Sequence, residues 1–191
     1  MKTGTKNSTQ EAVEPLPRGI RMEKGKITVF SGEGRGKTAA ALGMALDAAA
    51  DGKTAVVIQF LKGRGLAESF FCKRMEPDIK IFRFEKSEVD YDDRSLEQKE
   101  DDVSSIRNSL GFARKVLATG ECDLLILDEV LGVIDNNIIT VEELRDLVSH
   151  RGDTDVIFTG RVLSGELCTF VDEISQISTV RFKKYETTEN S

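Results

Sequence analysis

Gly32-Glu33-Gly34-Arg35-Gly36-Lys37-Thr38 alternates glycine with charge and runs straight into an alanine-rich stretch. These residue types in this order suit a phosphate chain. Successive N–H groups of a glycine-rich turn can converge into an anion nest. A helix opening at Lys37-Thr38 adds its unpaired N–H groups and the positive end of its dipole. Lys37 supplies a point charge to the phosphates, and the Thr38 hydroxyl is placed to hold a magnesium ion. The strict phosphate-loop pattern has glycine where Ser31 stands, and the dinucleotide fingerprint GxGxxG is not met by glycines at 32, 34 and 36. A glycine-rich turn with no ligand is the competing reading. The strand-like run before it and the helix-like run after it argue against that.

Two more clusters carry chemistry. Leu124-Leu125-Ile126-Leu127 is followed by Asp128-Glu129, four apolar residues and then acid. A carboxylate there would hold magnesium opposite Thr38. Adjacent side chains of a strand point oppositely, so one of Asp128 and Glu129 faces the metal and the other serves another purpose. Arg161 follows the run Val156-Ile157-Phe158-Thr159 and Gly160. It can pair bidentately with phosphate oxygens or form a surface ion pair, and spacing alone does not decide between them.

Elements of alternating type must position these clusters. Strand-like runs stand at Ile27–Phe30, Thr54–Phe60, Ile79–Phe84, Leu124–Leu127 and Val156–Thr159, with a last one at Ile174–Phe182. The second, fourth and fifth are almost wholly apolar, as strands buried on both faces are, whereas Ile79–Phe84 alternates as an edge strand does. Helices are expected over Thr38–Ala50 and Val141–Ser149. Another carries Val103, Ile106, Leu110, Ala113 and Leu117 on one face, and a short one spans Gly165–Val171. Residues 85–102 are acidic and polar and read as a loop leading into the third strand's following helix. Strands alternating with helices predict an α/β fold with a mainly parallel sheet, and ligands of such sheets sit at the carboxyl ends of the strands. Ser31–Thr38, Asp128-Glu129 and Gly160-Arg161 all fall at such ends. Residues 1–22 read as a flexible polar tail, 23–184 as one domain and 185–191 as a second tail.

Composition sets the class. With 39% hydrophobic and 31% charged residues, the 191-residue chain suits a globular domain with a sizeable core. Its net charge of −6 disfavours a general nucleic-acid binder. Without an aromatic–basic strip, a DNA-dependent motor is also disfavoured. Cys72, Cys122 and Cys168 are scattered, which points to reduced thiols and a cytoplasmic protein, and lone His150 gives no metal site of the histidine type. No apolar run reaches the ~18 residues of a membrane span, and the first residues have no apolar signal core.

SGEGRGKTAAALGMALDAAADGKTAVVIQFLKG, then LLILDEV, then VIFTGR, resemble in sequence and order the phosphate-loop ATP:corrinoid adenosyltransferases of the cobalamin pathway. The resemblance runs from about Gly25 to Asp172. It implies the phosphate-loop, RecA-like architecture, and a loop that tolerates serine at position 31. It implies transfer of the 5′-deoxyadenosyl group of ATP to the cobalt of a reduced corrinoid, with triphosphate leaving. Gly32, Glu33, Gly34, Arg35, Gly36, Lys37 and Thr38 would then grip the triphosphate, Thr38 and Glu129 (or Asp128) would hold Mg2+, and Arg161 would take a phosphate oxygen. Lys37, Glu129 and Arg161 would be the residues of catalysis. Gln59 and Lys62 match the family's QF-KG stretch and would line the nucleotide site. Phe82 and Phe84, with Tyr91 nearby, are counterparts of the aromatic residues that shield the corrinoid's lower face, or else core residues of an edge strand. A homodimer and a flavin or flavoprotein reductant are implied as well.

The chain also departs from the family. Residues 85–102 do not align with its corrinoid-contacting region, Ala39 replaces a common hydroxyl residue, and RFKKYETTENS lacks the usual His, Phe, Gly and final Gly-Ile. Two alternatives follow: an ATPase or kinase in which water or a hydroxyl attacks the terminal phosphate, and an ATP-binding regulatory paralogue that has lost catalysis.

Overall fold

The computed structural model describes residues 24–63 and 70–180. Six strands form one parallel sheet: β1 (Ile27–Ser31), β2 (Ala55–Gln59), β3 (Ile79–Arg83), β4 (Leu124–Asp128), β5 (Asp155–Thr159) and β6 (Glu173–Gln176), in the spatial order β3-β2-β4-β5-β1-β6. The α/β expectation holds. β2 and β4 are buried at every position, as their unbroken apolar runs require, and β3 and β6 take the two edges.

Helix α1 (Lys37–Ala50) packs on one face, where Ala41 and Ala45 meet Val57, Ile126 and Ile157. Small residues on α1 let the helix lie close to the sheet. α3 (Leu96–Thr119), α4 (Val130–Asp135) and α5 (Val141–Ser149) belong to the larger core of the other face, around Ile58, Leu125, Leu127 and Phe158. A single helical turn, α2 (Phe70–Lys73), precedes β3. β4 lies between β2 and β5, so Asp128-Glu129 emerges at the centre of the sheet's carboxyl edge.

Several boundaries differ from the sequence expectation, for local reasons. α3 begins at Leu96, well before Val103, because Ser95 and Gln98 form a reciprocal capping box. Its first turns are exposed, Leu96 to 81%, so they carry no apolar period to read. α2 and α4 are too short for periodicity to announce them. Residues 165–171 hold only a 3-10 turn at Leu167–Thr169. β6 stops at Gln176 rather than reaching Phe182, because the chain beyond it turns onto the glycine-rich loop. The tails expected at 1–22 and 185–191 lie outside the described residues.

The three cysteines are free. Cys72 and Cys122 are buried and Cys168 is exposed. Burial pushes the Cys122 thiol up from an ordinary 9.0 to about 12. A thiol kept protonated by the fold contributes stability that is present below pH 9.0 and lost as pH rises toward about 12. Iodoacetamide at neutral pH should therefore label Cys168 in the native chain and reach Cys122 only in denaturant, which mass spectrometry of the labelled protein checks.

Candidate functional site

Asp128 ends β4 with its side chain wholly buried. Its Oδ1 accepts from the hydroxyls of Thr38 (2.9 Å) and Thr159 (2.7 Å). Its Oδ2 accepts from Gln59 Nε2 (3.1 Å) and Lys62 Nζ (2.6 Å). Burial alone would raise the carboxyl's pKa. The Lys62 charge, with hydrogen bonds from Lys62, Thr159 and Gln59, outweighs that and holds it below the usual aspartate value. The donors come from α1, β2, the loop after β2 and β5, so this carboxylate ties together elements that are distant in sequence.

Glu129 turns the other way. Its backbone is left-handed (φ 65), its N–H donates to Thr159 Oγ1 (2.8 Å), and it caps α4. Its side chain lines a cavity of about 1270 Å³ that also takes in Gly34–Ala39, Lys62, Asp90–Asp93, Gly132 and Arg161. Burial raises the Glu129 pKa, Asp128 adds to this, and Lys62, Lys37 and Arg161 oppose it. The two adjacent acids thus divide, Asp128 inward at the end of β4 and Glu129 toward the cavity, and the left-handed turn at Glu129 rather than strand alternation sets the division.

The glycine-rich loop opens α1 at Gly36, whose φ is 112. The amides of Lys37, Thr38 and Ala39 begin the helix, where helical geometry provides no intrahelical acceptor, and all three residues line the cavity. Lys37 Nζ donates back to the carbonyls of Gly32 (2.7 Å) and Gly34 (3.0 Å), which fixes it across the loop. Other loop amides are already committed. Gly32 N donates to Arg161 O (3.0 Å), Gly34 N to Ile177 O (2.9 Å) and Arg35 N to Thr179 Oγ1 (3.1 Å). The anion nest is therefore narrower than Gly32–Thr38 and centres on Gly36–Ala39. Gly34 is glycine because a Cβ there would meet Ile177 O at 2.6 Å. Ser31 closes β1 in register with Gln176 and is fully buried, an ordinary strand position with no need of glycine.

Lys62 follows Leu61, which itself has a left-handed φ of 60. A clamp from the end of β3 and the acidic segment holds this turn. Glu85 Oε1 accepts from Leu61 N (2.7 Å), Arg83 donates to the carbonyls of Gly63 (2.6 Å) and Ser87 (2.8 Å), and Asp90 Oδ1 accepts from Gly63 N (2.8 Å). Gly63 must be glycine because a Cβ would meet Glu88 O at 2.3 Å. Behind the clamp, buried Arg94 donates to Asp102 (2.6 Å) and Val89 O (2.8 Å) and stands 5.4 Å from the Tyr91 ring. Burial raises the Glu85 pKa against its hydrogen bonds and the Arg94 charge.

The sequence-predicted residues thus separate. Glu33, Gly34, Arg35, Gly36, Lys37, Thr38, Lys62, Glu129 and Arg161 line one cavity. Gln59, expected to line it, is buried behind Asp128 and orients that carboxylate instead. Arg161 is exposed, its NH1 3.5 Å from Asp92 across the cavity mouth. Phe82 and Phe84 pack on Phe112 of α3, with centroids at 4.8 and 5.6 Å, and are not among the lining residues. Sequence reasoning missed Thr159, Glu85, Asp90, Asp92 and Asp93, whereas Tyr91, named beside Phe82 and Phe84, does line the cavity. Thr159 stands in the TGR triplet, and its place one strand over from Asp128 was the available signal.

Comparison with known proteins places the chain by sequence and by fold. Residues 23–189 match the family model described as ATP:corrinoid adenosyltransferase BtuR/CobO/CobP. The chain is 30% identical over 173 residues to the corrinoid adenosyltransferase of Escherichia coli strain K12, covering 90% of this chain and 86% of that one. It is 28% identical over 160 residues to the corrinoid adenosyltransferase CobA of Salmonella typhimurium strain LT2, covering 83% and 79%. Among solved structures, a KaiC-like protein from Pyrococcus horikoshii OT3 superposes with a TM-score of 0.50 at 15% identity over 83% of this chain and 75% of that one, a likeness of fold alone.

Removing Asp102 would strand the buried Arg94 guanidinium under the clamp. Asp102→Ala should cost roughly 3–5 kcal/mol in urea unfolding. A loss below about 1 kcal/mol, the size of an exposed pair, would show that the network does not hold the segment.

Proposed function

The chain belongs to the ATP:corrinoid adenosyltransferase family, and we infer from that membership that it transfers the 5′-deoxyadenosyl group of ATP to the cobalt of a reduced corrinoid. The observation that carries the reading at the level of the site is the single cavity shared by Lys37, Thr38, Glu129 and Arg161. At about 1270 Å³ it exceeds the ~300–1,000 Å³ of an ordinary one-ligand pocket, which leaves room beside a nucleotide for part of a second substrate.

The reaction is a displacement at carbon. Cobalt(I) supplies both electrons of the new cobalt–carbon bond, the bond between C5′ and its oxygen breaks, and that electron pair leaves with the triphosphate. Lys37 and the helix-opening amides of Lys37, Thr38 and Ala39 stabilise the charge of the leaving group. Arg161, freed from its long contact with Asp92, closes on a phosphate oxygen. Asp128 touches neither substrate in this reading. It positions the Thr38 hydroxyl, and Gln59 and Thr159 position Asp128.

Thr38 and Glu129 are the residues we assign to magnesium. A hydroxyl and a carboxylate on one cavity wall fit a hard cation that keeps waters and takes its remaining ligands from phosphates. Among the described residues no group of three or more histidine, cysteine or acidic side chains could hold a metal ion by itself. When bound, magnesium would neutralise charge on the triphosphate. The free cysteines support a reducing, cytoplasmic setting. A flavin or flavoprotein as source of the cobalt(I) electron, and a homodimer, complete the proposal by family resemblance.

The test is anaerobic turnover of chemically reduced cobalamin with ATP and magnesium, followed by the corrinoid spectrum. The unaltered chain should form the cobalt–carbon bond, and Lys37→Ala should lower kcat by roughly 10²–10³-fold. Consumption of ATP with an unchanged corrinoid spectrum would instead identify an ATPase.

A further inference from the structure

Lys62 Nζ lies 2.7 Å from Thr38 Oγ1 and 2.6 Å from Asp128 Oδ2. Thr38 spends its proton on Asp128 Oδ1 (2.9 Å), and Lys62 occupies one of the two lone pairs left on the same hydroxyl. The side chain of Asp128 is fully buried and that of Lys62 about a quarter exposed. Burying a carboxylate is tolerated only with a countercharge, and Lys62 is the cation in contact with it. The same hydroxyl is the oxygen assigned above to a divalent cation.

We propose that Lys62 and a divalent cation compete for Thr38, so that Lys62 acts as a built-in counterion which metal entry must displace toward the cavity. Two cations on one hydroxyl oxygen repel strongly in a partly buried site, whereas a lysine on a flexible four-carbon stem can withdraw. The stem starts from a turn held rigidly by Glu85, Arg83 and Asp90, so the movement is confined to the side chain. Once released, the ammonium faces the cavity it already lines, beside Lys37, where a phosphate chain would receive it. Exchange of the two cations would couple metal entry to delivery of a second positive charge onto the nucleotide. The inference rests on the assignment of Thr38 to magnesium.

The competition can be read with Mn2+ alone, by electron paramagnetic resonance titration of the full chain without ATP or corrinoid. Lys62→Met should bind Mn2+ at least about tenfold more tightly than the unaltered protein, and adding Asp128→Asn should cancel the gain. Equal affinities in the unaltered and Lys62→Met proteins would overturn the proposal. A measurement on the unaltered chain covers the case in which Lys62→Met does not fold. Mn2+ should speed acylation of the Lys62 amine severalfold, as read by peptide mass spectrometry, and an unchanged rate would overturn the competition equally. Both readings are independent of catalysis, so a chain that showed the exchange but formed no adenosylated corrinoid would contradict the functional assignment alone.

Discussion

A carboxylate without access to water is tolerable only where its oxygens are satisfied and its charge is balanced. Asp128 meets that condition through Thr38, Gln59, Lys62 and Thr159, and each donor sits at the end of a different segment. The phosphate loop follows β1, and β5 lies between β1 and β4 in the sheet. Contact between Thr38 and Asp128 therefore requires the loop and the start of α1 to lean across the end of β5. Thr159 fills the intervening position and also holds the Glu129 amide. With Asp128 committed inward, the left-handed turn at Glu129 presents the second acid to the cavity.

The walls of the cavity depend on close backbone approaches that only glycine allows. Gly34 receives Ile177, so the chain after β6 buttresses the loop, and Gly63 receives residues 88–90, so the acidic segment buttresses the turn that carries Lys62. Residues 85–102 therefore have a structural purpose that their departure from the family pattern conceals. They supply Glu85, Asp90, Arg94 and Asp102 to the clamp and Asp90–Asp93 to the cavity's rim.

The parallel sheet was legible because β2, β4 and β5 are apolar at nearly every position, a pattern that few other settings of a short run produce. The loop, the paired acids and Arg161 were legible as clusters at strand ends. The partner of Thr38 was not, because adjacent acids give no sign of which one turns inward until the φ of Glu129 is known. Gln59 was expected at the ligand only because it matches the family's QF-KG stretch, and sequence alone does not show that a polar residue ending an apolar strand here meets the buried Asp128. The start of α3 was hidden by the exposure of its first turns, which follow the capping box rather than a hydrophobic period.

In the proposed reaction the displaced group is the whole phosphate chain, gripped by a loop that elsewhere serves cleavage between phosphates. Phosphorus NMR of the products after a single anaerobic turnover with reduced corrinoid tests this most directly. Intact triphosphate is expected in amount equal to the adenosylated corrinoid. ADP with inorganic phosphate, formed whether or not corrinoid is present, would contradict it.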